Sequence, residues 1–418
     1  PGTPWSLDDC IGYALHNNVG VQQQALQVEQ TDVKLSTSKY SRLPDLSASV
    51  GYNATFGRGT SDDNIRKTGT IQSGSFDVGA SMPLFDGFRI NREIKGGKLD
   101  LATAMQDLER AREDLSINVM TLYLQVLYNK ELTQIAERQL ELSTQQAVRS
   151  RELVAAGKQP ESARYESEAL QANDELNLTQ ARNDLRLALL DLSQALNRES
   201  AAGFDIVAPQ LDSVALASLH VLGTADDVYA YATENRPHIK AERLRLESAE
   251  NAVRIAKSAL YPSLSLRGGY GTGIYSTQEA AFGTQFRKNS SEFVGVSMSV
   301  PIFNRRATHN SILSARIAMR KQQLAVTDAE QSLRKEIEQA WYNADAAYAK
   351  YHSAEAASAS VASAYEEQKA EAGRSTIFDF NDAKTRMEKA ESELVQAKYE
   401  FVFRSKILDF YRGRPLEL

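Results

Sequence analysis

Asp379 and Asp382 stand three residues apart in a stretch that reads as helix after Gly373, so their carboxylates share one helical face. Such a face attracts cations, and repeated around a narrow opening it resists closure by like-charge repulsion. The same pair near a helix N-terminus also suits the helix dipole and needs no pore. Other chemistry-bearing residues are dispersed. His16, His220, His238, His309 and His352 lack the spacing that holds zinc from one helix. Asp62-Asp63-Asn64 would suit calcium, but a solvated turn accounts for it more simply. The glycines of Gly269-Tyr270-Gly271-Thr272-Gly273 stand in an alternating strand with no helix behind them, which argues against a phosphate loop. Cys10 is the only cysteine, so no intrachain disulfide forms, and its place in an apparent helix start speaks against lipidation. No catalytic group, metal site or cofactor site emerges, and the chain reads as a non-enzyme.

The elements that must position these residues follow from the totals and the periodicity. The 418 residues are 24% charged and 42% hydrophobic, as in a folded protein. A net charge of −6 argues against nucleic acid as a partner. No apolar run approaches the ~20 residues of a membrane-spanning helix, which leaves a β-barrel open. The chain begins Pro1-Gly2 without Met or a leader, as a mature or trimmed form would.

The sequence contains one pattern twice. Asp8-Asp9 aligns with Asp226-Asp227, Ala14 with Ala232, Asn17 with Asn235, Pro44 with Pro262, Gly51-Tyr52 with Gly269-Tyr270, and Pro83-Leu84-Phe85-Asp86 with Pro301-Ile302-Phe303-Asn304. No gap is needed over that stretch. The expected repeats are 1–215, with a helix, a β-hairpin over 46–84 and a long helical hairpin over 88–198, and 216–418, with a helix, a β-hairpin over 264–302 and a helical hairpin over 306–412. The fold class is α+β.

Residues 6–42 read as one helix. After Pro44, Leu46, Ala48, Val50, Tyr52, Ala54 and Phe56 alternate with Ser47, Ser49, Gly51, Asn53 and Thr55. That period of two, apolar outward and polar inward, marks a strand between lipid and water. Phe76 to Leu84 repeat it, as do Leu264 to Ile274 and Val294 to Ile302. Loops are expected at Arg58–Gln72 and Ser276–Ser291. Each strand is expected to have the 9–11 residues of a tilted span. Aromatics at Tyr52, Phe85, Tyr270 and Phe303 suit an interfacial girdle. Pro44, Pro83, Pro262 and Pro301 flank the strands and are expected to set the swerve into the helices.

Proline-free stretches at about 88–156 and 306–372 would each span roughly 100 Å of helix at 1.5 Å per residue. In the first, Leu101, Met105, Leu108, Leu115, Val119, Leu122 and Val126 follow coiled-coil spacing, with Arg112 intruding. Gly157 and Gly373 end these helices as left-handed caps, and return helices follow over about 160–198 and 376–412. Four strands cannot close a barrel, whose smallest examples use about eight. Either the sheet stays open or several chains pool strands. Three chains would pool twelve strands and twelve helical columns, a β-tube running into a helical tube.

Tyr261-Pro262-Ser263-Leu264-Ser265-Leu266, the run Val296 to Asn304, and Gly373-Arg374-Ser375-Thr376-Ile377-Phe378-Asp379-Phe380 resemble the TolC outer-membrane efflux protein family, over the whole chain. The resemblance implies a homotrimer with a twelve-stranded barrel in the outer membrane of a Gram-negative bacterium and a long periplasmic helical barrel. It implies an adaptor (membrane fusion) protein and an inner-membrane pump as partners, in tripartite efflux or type I secretion. It places Asp379 and Asp382 as a carboxylate ring at the periplasmic gate. Gly157, Lys158, Gly373, Arg374 and Ser375 become the tip latch or adaptor-docking residues. Ser375 stands where the family often has an arginine, with Arg374 one residue earlier, so the latch departs from the family pattern. The rival reading is a soluble periplasmic coiled-coil adaptor or scaffold.

Overall fold

The computed structural model describes the backbone of residues 4–60, 66–209, 223–370 and 377–416, and all their side chains except those of 58–60, 66–68, 368–370 and 377–380. In chain order its elements are α1 (Leu7–Asn17), α2 (Val19–Tyr40), β1 (Asp45–Thr60), β2 (Arg66–Phe85), α3 (Arg89–Ala155), α4 (Glu161–Ala195), α5 (Ala225–Asn235), α6 (Pro237–Ser258), β3 (Ser263–Tyr275), α7 (Phe282–Lys288), β4 (Ser291–Ser299), α8 (Ala307–Ala370) and α9 (Ile377–Tyr411). Three pairs of helical counterparts match in length: α1 and α5 have 11 residues, α2 and α6 have 22, α4 and α9 have 35.

The helix expected over 6–42 divides at Asn18. Its backbone is extended there, and its side-chain oxygen accepts from the amides of Gly20 (2.9 Å) and Val21 (3.3 Å). An asparagine that caps a new helix this way competes with continuing the old one. The second half breaks at Arg236, where Pro237 opens α6 and its missing N–H is an orphan anyway.

Two compact units form. The first comprises Pro1–Leu26, Gln106–Lys240 and Thr327–Leu418. Its main core packs Cys10 and Ala14 of α1 against Val119, Met120, Tyr123, Val126 and Leu127 of α3 and against Leu192 and Leu196. A second core packs Val228 and Ala232 of α5 with Ile239 against Leu333, Ile337 and Leu408. The expected coiled-coil seam is thus only part of what α3 buries. Val119 and Val126 are fully buried, whereas Met105 is exposed and Arg112 pairs with Glu109 at 2.6 Å. The buried stripe is wider than two positions per heptad because α3 meets several neighbours here.

The second unit comprises Gln27–Met105 and Ala241–Val326. It holds one antiparallel sheet in the order β1-β2-β3-β4, so the two hairpins join through β2 and β3. The strand lengths are 16, 20, 13 and 9 residues, not a uniform 9–11. Most of the loop expected at Arg58–Gln72 is ladder, because pairing continues in register to Thr60↔Arg66. A backbone ladder needs no apolar alternation, so the hydrophobic pattern under-reports its length. Tyr52 and Tyr270 consequently lie within strands rather than at their ends.

The second expected loop holds α7, which replaces the missing top of β4. Pairing of β3 with β4 stops at Gly271↔Ser291. Beyond it the amide of Tyr275 donates to Gln285 Oε1 (2.9 Å), and Asn289 Nδ2 donates to the Gly273 carbonyl (2.7 Å). Side-chain amides thus stand in for a strand along an otherwise bare edge. Gln285 is buried and also donates to the carbonyls of Gln278 (3.2 Å) and Ala280 (2.7 Å). Gln285→Ala is expected to loosen this segment by about 2–3 kcal/mol, the cost of stranding buried polar groups. Amide exchange at Tyr275 reports it: an unchanged rate contradicts the cap, and β1–β2 should stay protected.

Candidate functional site

Three features of the chain can serve a conduit: the sheet faces, the strand-to-helix junctions and the helical tip. Pairing sets the faces. Val50 opposes Phe76, Phe76 opposes Thr272, Met82 opposes Leu266, and Leu266 opposes Val296, so these side chains share one side. That side exposes its large apolar groups, including Leu46 (72%), Val50 (74%), Phe56 (79%), Val294 (84%) and Met298 (67%). An apolar face this bare has no aqueous rationale, whereas lipid solvates it. The opposite face carries Ser49, Ser75, Asp77, Gly271, Ser265 and Ser297. Among the described residues β1 pairs only with β2, and β4 only with β3, so both sheet edges are free.

The prolines lie at or near the expected junctions. Pro44 and Pro262 directly precede β1 and β3, and Pro301 follows β4. Pro83 is inside β2, paired with Ser265, where the register shifts between Pro83 and Phe85. Sequence reasoning missed the turn itself. Gly87 (φ 67°) and Phe88 (φ 65°) form a left-handed pair between β2 and α3, and Arg305 (φ 54°) and Arg306 (φ 65°) do so before α8. Asp86 caps α3 by accepting from the Ile90 amide at 3.0 Å, and the matching Asn304 side chain donates to the Thr308 hydroxyl. Arg92 ties the first junction to α6, donating to the Arg254 carbonyl (2.6 Å) and to the Ser258 hydroxyl (2.8 Å).

At the tip, Gly157 has φ 69° and ends α3 with a paired cap: the Lys158 amide donates to the Leu153 carbonyl (2.8 Å), and the Gly157 amide to Val154 (2.9 Å). Lys158 is exposed. Gly373, Arg374 and Ser375 fall outside the described residues, as does the Asp379 side chain. Asp382 pairs with Arg386 at 2.8 Å on the exposed side of α9. Asp62-Asp63-Asn64 and His220 also lie outside the described residues.

The opposite side of α9 holds a charge cluster that the sequence did not disclose. Lys384 Nζ lies 2.6 Å from Asp174 Oδ2 of α4, with both side chains almost wholly buried (4% and 2% exposed). Glu388 Oε1 is 3.2 Å from the same nitrogen, an electrostatic contact without hydrogen-bond alignment. Burial holds the Glu388 carboxyl above the usual carboxylate range, and Lys384 partly offsets that. Lys384 stands among Asp382, Arg386, Glu388 and Lys389, a run of charges that reads as a solvated helix face and carries no advance signal of burial.

No group of acidic, histidine or cysteine side chains suited to a metal occurs among the described residues. His238 meets Arg110 at 3.0 Å, and His352 meets Glu355 at 3.2 Å. Cys10 is fully buried in α1, and burial pushes its thiol up to about 12. A cleft of about 850 Å³ in the first unit mixes Asp8, Glu109 and Glu113 with Arg112, Arg236 and Arg414, so it favours neither sign of charge. No described helix is long and apolar enough to cross a membrane.

Known proteins share this architecture. The chain is 23% identical over 415 residues to the outer membrane efflux protein BepC of Brucella suis biovar 1, covering 98% of this chain and 85% of BepC. It is 23% identical to the outer membrane protein TolC of Vibrio cholerae, covering 95% and 88%. The solved structure of CusC superposes with a TM-score of 0.82 at 18% identity, covering 99% of this chain and 93% of CusC. The sequence pattern of the family described as outer membrane efflux protein matches residues 10–198 and again 228–413, and the chain belongs to that family, whose members are efflux channels of the outer membrane.

Proposed function

We propose that three copies of this chain form one export duct, the outer-membrane stage of a tripartite efflux or type I secretion system. The observation that carries this reading is the four-stranded sheet with one exposed apolar face and two free edges. A membrane-facing edge must be paired, since unpaired backbone groups in lipid cost several kcal/mol each. Joining β4 of one copy to β1 of the next, three times, closes twelve strands and leaves no edge. The helices fit the same assembly. Val19, Leu26, Val33 and Tyr40 recur every seventh residue along α2 and are 51–65% exposed, while Leu313, Ile317 and Leu324 are exposed on α8. Apolar stripes at that spacing suit neighbouring helices of other copies. The two sequence repeats supply matching halves of the tube.

Within that assembly Asp379 and Asp382 line the periplasmic opening as a carboxylate ring. Gly157 and Lys158, with Gly373, Arg374 and Ser375, meet the adaptor, and a pump in the inner membrane supplies the energy. The duct is passive, so cargo selection resides in the pump. A soluble scaffold would leave the apolar face of the sheet without a solvent.

Cysteines placed along β1 and β4 are expected to cross-link copies up to a trimer and no further. The purified protein should conduct ions in a planar bilayer, and Asp379→Asn with Asp382→Asn should weaken block by multivalent cations. Monomer without conductance sinks the duct. Unaltered block in a conducting variant sinks only the ring.

A further inference from the structure

The helix α7 lies on the wrong side of the sheet to constrict a lumen. The Phe286 ring meets the Phe76 ring edge-on at 5.6 Å, and the Thr272 hydroxyl donates to the Phe286 carbonyl at 2.7 Å. Phe76 opposes both Val50 and Thr272 in the ladder, so the helix rests on the apolar face. Phe282 stacks on Phe286 at 6.1 Å yet remains 61% exposed. Between helix and sheet is an open cleft of about 450 Å³, walled by Val50, Tyr52, Phe76, Ile274 and Phe282. It continues the exposed apolar surface formed by Leu46, Val50 and Phe56. The last turn of α7 carries Arg287 and Lys288, both exposed and without an ion-pair partner among the described residues.

Height along the sheet gives these cations a meaning. From Ser263, at the helical end, to Thr272, beside Phe286, the strand rises about 30 Å at ~3.3 Å per residue. Tilted as barrel strands are, that corresponds to roughly the 25 Å height of a lipid-facing apolar band. Arg287 and Lys288 therefore stand at the level of headgroups on the side away from the helices, and the cleft, whose walls run from Val50 and Phe76 up to Ile274 and Tyr275, opens across the same boundary.

We propose that α7 is a lipid-binding element: an acyl chain of a membrane lipid fills the cleft, Phe282 enters the same leaflet, and Arg287 and Lys288 hold the phosphate of its headgroup. The proposal rests on the reading of the sheet as a barrel wall. Among the described residues the connection between β3 and β4 alone carries this element, once per chain, so a trimer would present three such sites.

The test uses the full chain in phosphatidylcholine vesicles with brominated acyl chains. Emission from the F282W variant, corrected for Trp5 and Trp341 in the unmodified protein, is expected to be quenched by bromine near the headgroup and to resist acrylamide. In vesicles containing phosphatidylglycerol, the R287Q/K288Q variant should lose retained anionic lipid by native mass spectrometry, at about fivefold per cation removed. Quenching by acrylamide alone overturns the proposal in favour of a solvated loop. Quenching by neither reagent overturns it in favour of a protein neighbour over the cleft. Undiminished retention in R287Q/K288Q overturns headgroup binding. A protein that inserts and conducts while F282W escapes bromine leaves the duct intact, whereas one that never enters vesicles removes both readings.

Discussion

Replacing Lys384 with methionine is expected to destabilise the protein by about 3–5 kcal/mol, the cost of leaving a buried carboxylate without its cation. Asp174 is 2% exposed and has Lys384 Nζ at 2.6 Å, so water cannot take over when the ammonium is removed. Methionine keeps the length and apolar stem of lysine, so lost packing contributes little. The double variant Lys384→Met/Asp174→Leu should recover much of the loss, because a volume-matched apolar pair avoids the desolvation of both charges. Guanidinium unfolding at fixed protomer concentration measures all three proteins. A single-variant loss below about 1 kcal/mol would mean that water reaches this pair.

Glu388 adds a dependence on pH with a definite sign. Its carboxyl is held above the usual range near 4.5 because burial disfavours the charged form. Between the usual value and the raised one, the folded state binds more protons than the unfolded state. Stability contributed by this group therefore falls as pH rises through that window and is regained on mild acidification. Glu388→Gln should flatten that slope, and it should do so without altering the exposed pair of Asp382 and Arg386 on the other side of α9.

This cluster also marks where the sequence stopped being legible. Alternation at Leu46 to Phe56 and at Val294 to Ile302 declares a strand and its apolar face, since side-chain direction has a strict period of two. The same pattern could not reveal that β1 runs on to Thr60, because the ladder there joins polar positions such as Thr60 and Arg66 through the backbone, with no apolar alternation to announce it. Long helices were readable from the absence of proline and from Gly157, whose φ of 69° is the left-handed cap its position predicts. The break at Asn18 was not, because one asparagine inside a helical pattern is a weak signal until its side chain is seen to cap Gly20 and Val21. The short α7 was hidden in a polar connection, where Phe282 and Phe286 at a spacing of four are too few to define an amphipathic helix. Lys384 and Asp174 lie on different helices, and no local pattern couples residues so far apart in sequence. Periodicity and proline placement thus declare the strands and long helices, while the groups that fasten them together depend on tertiary pairing.

Gly87→Ala is expected to cost about 2–5 kcal/mol, from left-handed backbone strain and forced overpacking together. Prolines were the sequence's candidates for the change of direction between strand and helix, but φ of 67° at Gly87 and 65° at Phe88 makes the turn. A Cβ on Gly87 would stand 2.5 Å from the Ser258 carbonyl oxygen and 2.9 Å from Tyr261 Cβ. Neither can swing away as the end of a flexible side chain could, because one is backbone and the other is fixed to it. The strain would fall on the segment that Arg92 ties to Arg254 and Ser258, between the end of α6 and the start of β3. Arg305 already holds a left-handed conformation at the matching place in the second half, with φ of 54°. Arg305→Gly relieves strain while loosening the unfolded chain, so it should lie within about 1 kcal/mol of unchanged. A left-handed side chain is tolerated at Arg305, so the part of the Gly87 loss that exceeds backbone strain comes from its close approach to Ser258. Thermal unfolding of both variants in detergent decides it, and a Gly87→Ala protein as stable as the parent would show that the junction can open by the several tenths of an ångström a methyl group demands.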